Sequence, residues 1–156
     1  MKNILLLLLS VSLFSCQKKE NMNPVVETSD TTTVTKKKNT EENKQIGDTI
    51  FLKYQNEKGF YTAEGILDSV HQRIYLKFNN DNSGELNARI IPETGKGNIR
   101  FNQIIFPDNT SDGPFGMNLK IPLTQKGNHI VVVGHSQMAD YPYWGKFGLE
   151  LVNKKE

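Results

Sequence analysis

The chain has 156 residues, with 19 Lys and Arg against 17 Asp and Glu and a net charge of +2, which leaves room for one folded domain once processed and flexible segments are set aside. Its one cysteine, Cys16, excludes a disulfide framework, a cysteine zinc site and a cysteine nucleophile in any domain beyond it. From residue 46 onward there are twelve basic and twelve acidic side chains, so the electrostatic footprint of a nucleic-acid binder is missing as well.

The first element in chain order is a signal. Lys2 gives a positive start, Ile4 to Leu9 is an unbroken apolar run, and Leu13-Phe14-Ser15-Cys16 puts a small residue before a cysteine. The apolar stretch from Ile4 to Phe14 is well short of the roughly 20 residues that a membrane span needs. Residues 1–15 therefore read as a lipoprotein signal peptide, cut to leave Cys16 for acylation by palmitate-type chains and anchorage in a lipid bilayer. This places the mature chain in the cell envelope, lipid-anchored to the outer membrane on its periplasmic or surface-exposed side.

Residues 16–45 contain few apolar side chains, among them Met22, Val25, Val26 and Val34, set between runs such as Thr31-Thr32-Thr33 and Lys36-Lys37-Lys38. Such composition cannot offset the entropy of ordering, and it reads as a disordered tether. Gln17-Lys18-Lys19-Glu20 resembles the charged tetrads that send some lipoproteins to the cell surface, and ordinary solvated tether explains it too. Asp30-Thr31-Thr32, Asp48-Thr49-Ile50 and Asp68-Ser69-Val70 look like the acceptor triplets of a bacterial O-glycosylation system.

From Ile46 the pattern becomes short apolar alternations broken by turn residues. Ile50, Leu52 and Tyr54 share one face, and Ile74, Leu76 and Phe78 alternate with Arg73, Tyr75 and Lys77. Strands are predicted at 49–54, 60–67, 72–79, 85–91, 99–106, 116–121, 129–134 and 146–152. In the sixth, Met117, Leu119 and Ile121 share a face. The continuous run Ile130 to Val133 suits a central strand, and Phe147, Leu149 and Leu151 make one inward face. Turn-rich segments such as Asn79 to Gly84 and Gln125 to Asn128 separate them. The fold class is all-β: residues 46–156 as a single antiparallel β-sandwich of about eight strands, jelly-roll-like, and monomeric.

No catalytic set emerges. His129 and His135 lie six apart on one predicted strand, about 20 Å, too far to share a metal. His135-Ser136 with Asp140 lacks a nucleophile elbow, and adjacent strand residues point oppositely. Asp81-Asn82-Ser83 and Asp108 to Gly113 lack the spacing and terminal Glu of a calcium loop, and turn chemistry accounts for them. No metal and no cofactor is expected.

The 135–145 segment stands out by crowding Tyr141, Tyr143 and Trp144 into four positions. Tyr and Trp on a stiff loop give contact area at small entropic cost. Trp144 or Tyr143 is equally at home folded back to cap one end of the core. The candidate binding residues are His135, Ser136, Asp140, Tyr141, Tyr143, Trp144 and Lys146.

The run from Leu119 through Gly127-Asn128 into Ile130-Val131-Val132-Val133, followed by Gly145-Lys146-Phe147-Gly148-Leu149-Glu150-Leu151, resembles the end of pre-peptidase C-terminal β-sandwich domains and of bacterial proteinaceous inhibitors of g-type lysozyme. The resemblance extends weakly over residues 48–152. It implies an exported, cofactor-free protein whose loops plug a lysozyme cleft, with a g-type lysozyme as partner. The inhibitors present arginines in the matching loop, where this chain has Lys146 at the exit. The alternative is a carbohydrate- or polymer-binding accessory module, with the same aromatics stacking on a glycan; an enzyme comes third.

Overall fold

The computed structural model describes residues 42–155, so the signal segment, Cys16 and the tether up to residue 41 lie outside the described residues. Ten strands run β1 Gln45–Ile46, β2 Thr49–Phe51, β3 Tyr61–Leu67, β4 Arg73–Asn80, β5 Gly84–Pro92, β6 Arg100–Ile105, β7 Ser111–Asp112, β8 Asn118–Leu123, β9 Gly127–Gly134 and β10 Gly145–Lys155. They form two sheets, ordered β1-β2-β4-β9-β6-β7 and β3-β10-β5-β8. The fold is all-β, and no helix among the described residues is long and apolar enough to cross a membrane.

The eight longer strands correspond to the eight expected from apolar alternation, and β1 and β7, of two residues each, add to the edges of the first sheet. Taken in order, the longer strands alternate between the sheets, so every connection crosses the sandwich. Two reversals bring the chain back to the first sheet beside β2 heading the same way. β2 and β4 are consequently parallel, whereas the other pairs among these strands are antiparallel. β9 is central in its sheet, as the run Ile130 to Val133 led one to expect, and β10 lies between β3 and β5 in the other.

The core lies between the inner faces. Ile74, Leu76 and Phe78 of β4, Val131 and Val133 of β9, and Phe147, Leu149 and Leu151 of β10 are all buried. Each such side chain contributes about 1.5–3 kcal/mol by leaving water. On β8 the buried set is Leu119, Ile121 and Leu123, while Met117 precedes the strand and is exposed. Tyr54 likewise falls beyond the end of β2 and is exposed. Gly65 is opposite Phe147 in the β3–β10 register, and a Cβ there would stand 2.5 Å from the Phe147 Cζ atom. The glycine makes room for the ring.

Residues before the expected boundary at Ile46 already make contacts with the sheets. Asn43 is buried and its amide spans the gap between the sheets. Its Nδ2 donates to the carbonyls of Tyr54 (2.8 Å) and Thr62 (3.0 Å), and its Oδ1 accepts from the N–H groups of Lys53 and Tyr54. Gln45 pairs with the Ile66 backbone through both ends of its amide. Residues 42–45, assigned to the tether from composition, therefore belong to the domain: a single carboxamide can stand in for a missing stretch of strand without any apolar signal.

Candidate functional site at the loop end of the sandwich

The crossing connections gather 68–72, 93–99 and 135–144 at one end of the sandwich. The last of these contains the aromatic cluster, and its shape is set by Asn98. The Asn98 side-chain amide donates to the carbonyls of Ala139 (3.4 Å), Asp140 (3.0 Å) and Tyr141 (3.1 Å), and its Oδ1 accepts from the Ser136 N–H. Its backbone N–H donates to the Tyr141 carbonyl and its carbonyl accepts from the Tyr143 N–H. The two segments are in such close contact that a Cβ at Gly95 would collide with the Trp144 carbonyl oxygen and the Tyr143 ring, and one at Gly97, φ +111°, with the Tyr141 carbonyl oxygen.

Tyr143 does not belong to the surface. It is fully buried in the core, and its hydroxyl accepts from the N–H groups of Glu93 (3.3 Å) and Gly95 (3.2 Å) and donates to the Lys146 carbonyl. As a binding candidate Tyr143 is corrected: it takes the core-capping alternative, because its phenol satisfies the Gly95 N–H, which the loop exit would otherwise leave unpaired, and adds to the bond between the Glu93 N–H and the Lys146 carbonyl. Tyr141 is 82% exposed with φ +59°, and Trp144 is 41% exposed, its ring packed edge-on against His135 with centroids 5.4 Å apart. Met138, 99% exposed, completes an apolar tip that residue-type reasoning missed. Lys146 is exposed at the loop exit, with its backbone N–H donating to Thr94 Oγ1 at 2.9 Å.

The remaining candidates do not make a reactive set. Among the described residues no hydrogen bond joins His135, Ser136 and Asp140. Ser136 Oγ accepts from the Met138 N–H, Asp140 is exposed, and His135 Nδ1 is buried without a partner. No group of three His, Asp or Glu among the described residues could hold a metal ion. The Asp108 carboxylate is occupied by Thr110 and Gln125, and that of Asp112 by the Gly113 N–H.

Beside the loop opens a cleft of about 360 Å³, lined by His135, Asp48, His71, Arg73 and Tyr75 among others. His71 is held by Asp68, whose Oδ1 accepts from the His71 N–H (2.5 Å), the Val70 N–H (2.9 Å) and His71 Nδ1 (3.1 Å). Those bonds, chiefly the one from the His71 N–H, keep the Asp68 carboxyl below the usual carboxylate range. Of the glycosylation-like triplets, the Thr49 hydroxyl is buried against Asp48, Ser69 is exposed in this turn, and Asp30-Thr31-Thr32 lies outside the described residues.

No family model matches the chain, and no curated protein matches its sequence. In structure it is similar to PliG of Aeromonas hydrophila, a periplasmic lysozyme inhibitor of g-type lysozyme, at 11% identity and TM-score 0.49, covering 68% of this chain and 96% of that one. It is also similar to the pre-peptidase C-terminal domain of collagenase from Bacillus anthracis, at 13% identity and TM-score 0.44, covering 72% and 98%. At these scores neither likeness bears on activity.

Proposed function

We propose that this chain is a binding protein rather than an enzyme, tethered through acylated Cys16 in the cell envelope, and that its 135–145 loop plugs the active-site cleft of a g-type lysozyme. The observation that carries the binding reading is the clamp on the loop. Asn98 and Tyr143 immobilise the backbone from Ser136 to Lys146 while Met138, Tyr141 and Trp144 remain outside. A stiff loop with apolar tips has already lost the entropy that binding would otherwise cost. The partner comes from the resemblance of the 119–151 segment to inhibitors of g-type lysozyme, the enzyme named for the similar Aeromonas hydrophila protein.

The test is an inhibition panel with the purified chain against g-, c- and i-type lysozymes. Inhibition of the g-type at micromolar concentration or below, with weaker action on the others, is the expected outcome. Absence of inhibition across all three classes contradicts the lysozyme assignment.

A further inference from the structure

Two of the Asp-Ser/Thr-apolar triplets fall among the described residues, and the fold treats them in opposite ways. Asp48-Thr49-Ile50 runs into β2, a strand paired on one side with β1 and on the other with β4. Thr49 and Ile50 are buried, and the Thr49 hydroxyl donates to Asp48 Oδ1 at 2.9 Å. Asp68-Ser69-Val70 forms a surface turn between β3 and β4, with Ser69 and Val70 both exposed. The Ser69 carbonyl accepts from Gln72 Nε2, while its hydroxyl is engaged by no hydrogen bond among the described residues.

The turn that displays Ser69 is fixed by its own acid. Asp68 Oδ1 accepts from the Val70 and His71 N–H groups, and the Asp68 N–H donates to the His71 carbonyl at 3.3 Å, which closes the four residues on themselves. Attachment of a sugar to a hydroxyl makes two demands on the acceptor. Its oxygen must reach the anomeric carbon of a donor, and the finished glycan, bulky and hydrated, must lie outside the fold. Thr49 meets neither, because a glycan there would break the pairing of β2 with its neighbours. Ser69 meets both. Ser111 is exposed as well, but Thr110 precedes it and Asp112 follows, so it lacks the triplet.

We propose that Ser69 is an O-glycosylation site, addressed by the exposed triplet Asp68-Ser69-Val70, and that Thr49 is not modified. In the transfer, Ser69 Oγ attacks the anomeric carbon of a sugar carried on a lipid diphosphate. The bond from Oγ to that carbon forms as the bond from the carbon to the diphosphate oxygen breaks. The electron pair leaves with the lipid diphosphate, and the hydroxyl proton passes to a carboxylate of the transferase. A donor of this class is used beyond the inner membrane, so the site rests on the export part of the reading above and is independent of the lysozyme part.

The experiment maps peptides by mass spectrometry from the full chain recovered from the bacterium that encodes it, as the parent and as Ser69→Ala, Ser69→Thr and Asp68→Asn. The parent is expected to carry whole-sugar mass increments on Ser69, with Thr49 and Ser111 bare. Ser69→Ala should lose them and Ser69→Thr keep them; both changes lie at an exposed position and leave the fold intact. Asp68→Asn retains an oxygen that can close the turn and removes the acid, and it should lose the glycan. A chain cut before Cys16 with Ser69 bare overturns the proposal and leaves the export reading standing, whereas an uncut chain with Ser69 bare overturns both. A glycan on Thr49, or one on Ser69 that survives Asp68→Asn undiminished, overturns the triplet as the address.

Discussion

The carbonyl oxygen of Tyr141 accepts two hydrogen bonds from Asn98, one from the backbone N–H at 2.8 Å and one from the side-chain amide at 3.1 Å. This doubled contact holds Tyr141 in the left-handed backbone region, which a bulky residue enters only at a cost of roughly 1–2 kcal/mol. The strained residue is also the most exposed aromatic of the loop, so geometry and presentation have a common origin.

Removing that clamp should loosen the loop while leaving the sandwich folded. Asn98→Ala deletes the bonds to Ala139, Asp140, Tyr141 and Ser136. A stability loss of about 1–3 kcal/mol is expected, with faster amide exchange confined to 136–143 and weaker partner binding. Exchange as slow as in the parent would show that Asn98 does not fix the loop.

Tyr143 separates packing from hydrogen bonding. Tyr143→Phe preserves the buried ring and deprives the Gly95 N–H of its partner, while the Glu93 N–H and the Lys146 carbonyl keep their bond to each other, for a loss of about 1–3 kcal/mol; Tyr143→Ala should lose about 3–5 kcal/mol. Denaturant unfolding of the two variants gives the comparison. Equal stability of Tyr143→Phe and the parent would contradict the structural role of the hydroxyl.

Gly65→Ala tests the contact between β3 and β10. Its methyl group would press on the Phe147 ring, and overpacking of this kind costs about 1–3 kcal/mol. A melting temperature unchanged by the substitution would mean that the ring moves aside freely.

His129 makes stability depend on pH. It is buried between Phe78, stacked at 5.4 Å, and Phe106, edge-on at 5.9 Å, and its Nε2 has no partner. Burial pushes its pKa below the usual 6.5, against a smaller opposing effect of the Gly127 carbonyl beside Nδ1. The unfolded chain therefore takes up this proton first. Stability from His129 is complete above about pH 6.5 and falls as the pH drops from there toward the folded-state pKa, by at most about 1.4 kcal/mol per unit. Asp68, Glu85 and Asp108, held below their usual values, lose their contributions only at more acidic pH. Urea midpoints at pH 7 and pH 5 should differ for the parent and converge for His129→Phe; a parent with identical midpoints contradicts this account.

Period-two alternation announced β4 residue by residue, because Ile74, Leu76 and Phe78 face a core and Arg73, Tyr75 and Lys77 do not. Register and partner order were hidden, since nothing in Thr49 to Phe51 says that the neighbour is β4 and runs parallel. The loop end was only partly readable. Aromatic crowding marked 141–144, yet with no period in a loop Tyr143 could not be told from Tyr141, one wholly buried and the other open. Asn98 gave no signal at all, for its partners are about 40 positions away and an isolated Asn reads as a turn. Asn43 was concealed in the same way within a polar stretch.

The central claim is that the exposed tip of the clamped loop is the working surface, and inhibition of g-type lysozyme by the parent chain and by Tyr141→Ala and Trp144→Ala tests it most directly. Each substitution is expected to weaken inhibition by about thirtyfold, as removal of an interface anchor worth about 2 kcal/mol does, while the melting temperature remains within a few degrees of the parent. Undiminished inhibition by both variants, or a loss that only follows unfolding, would contradict it.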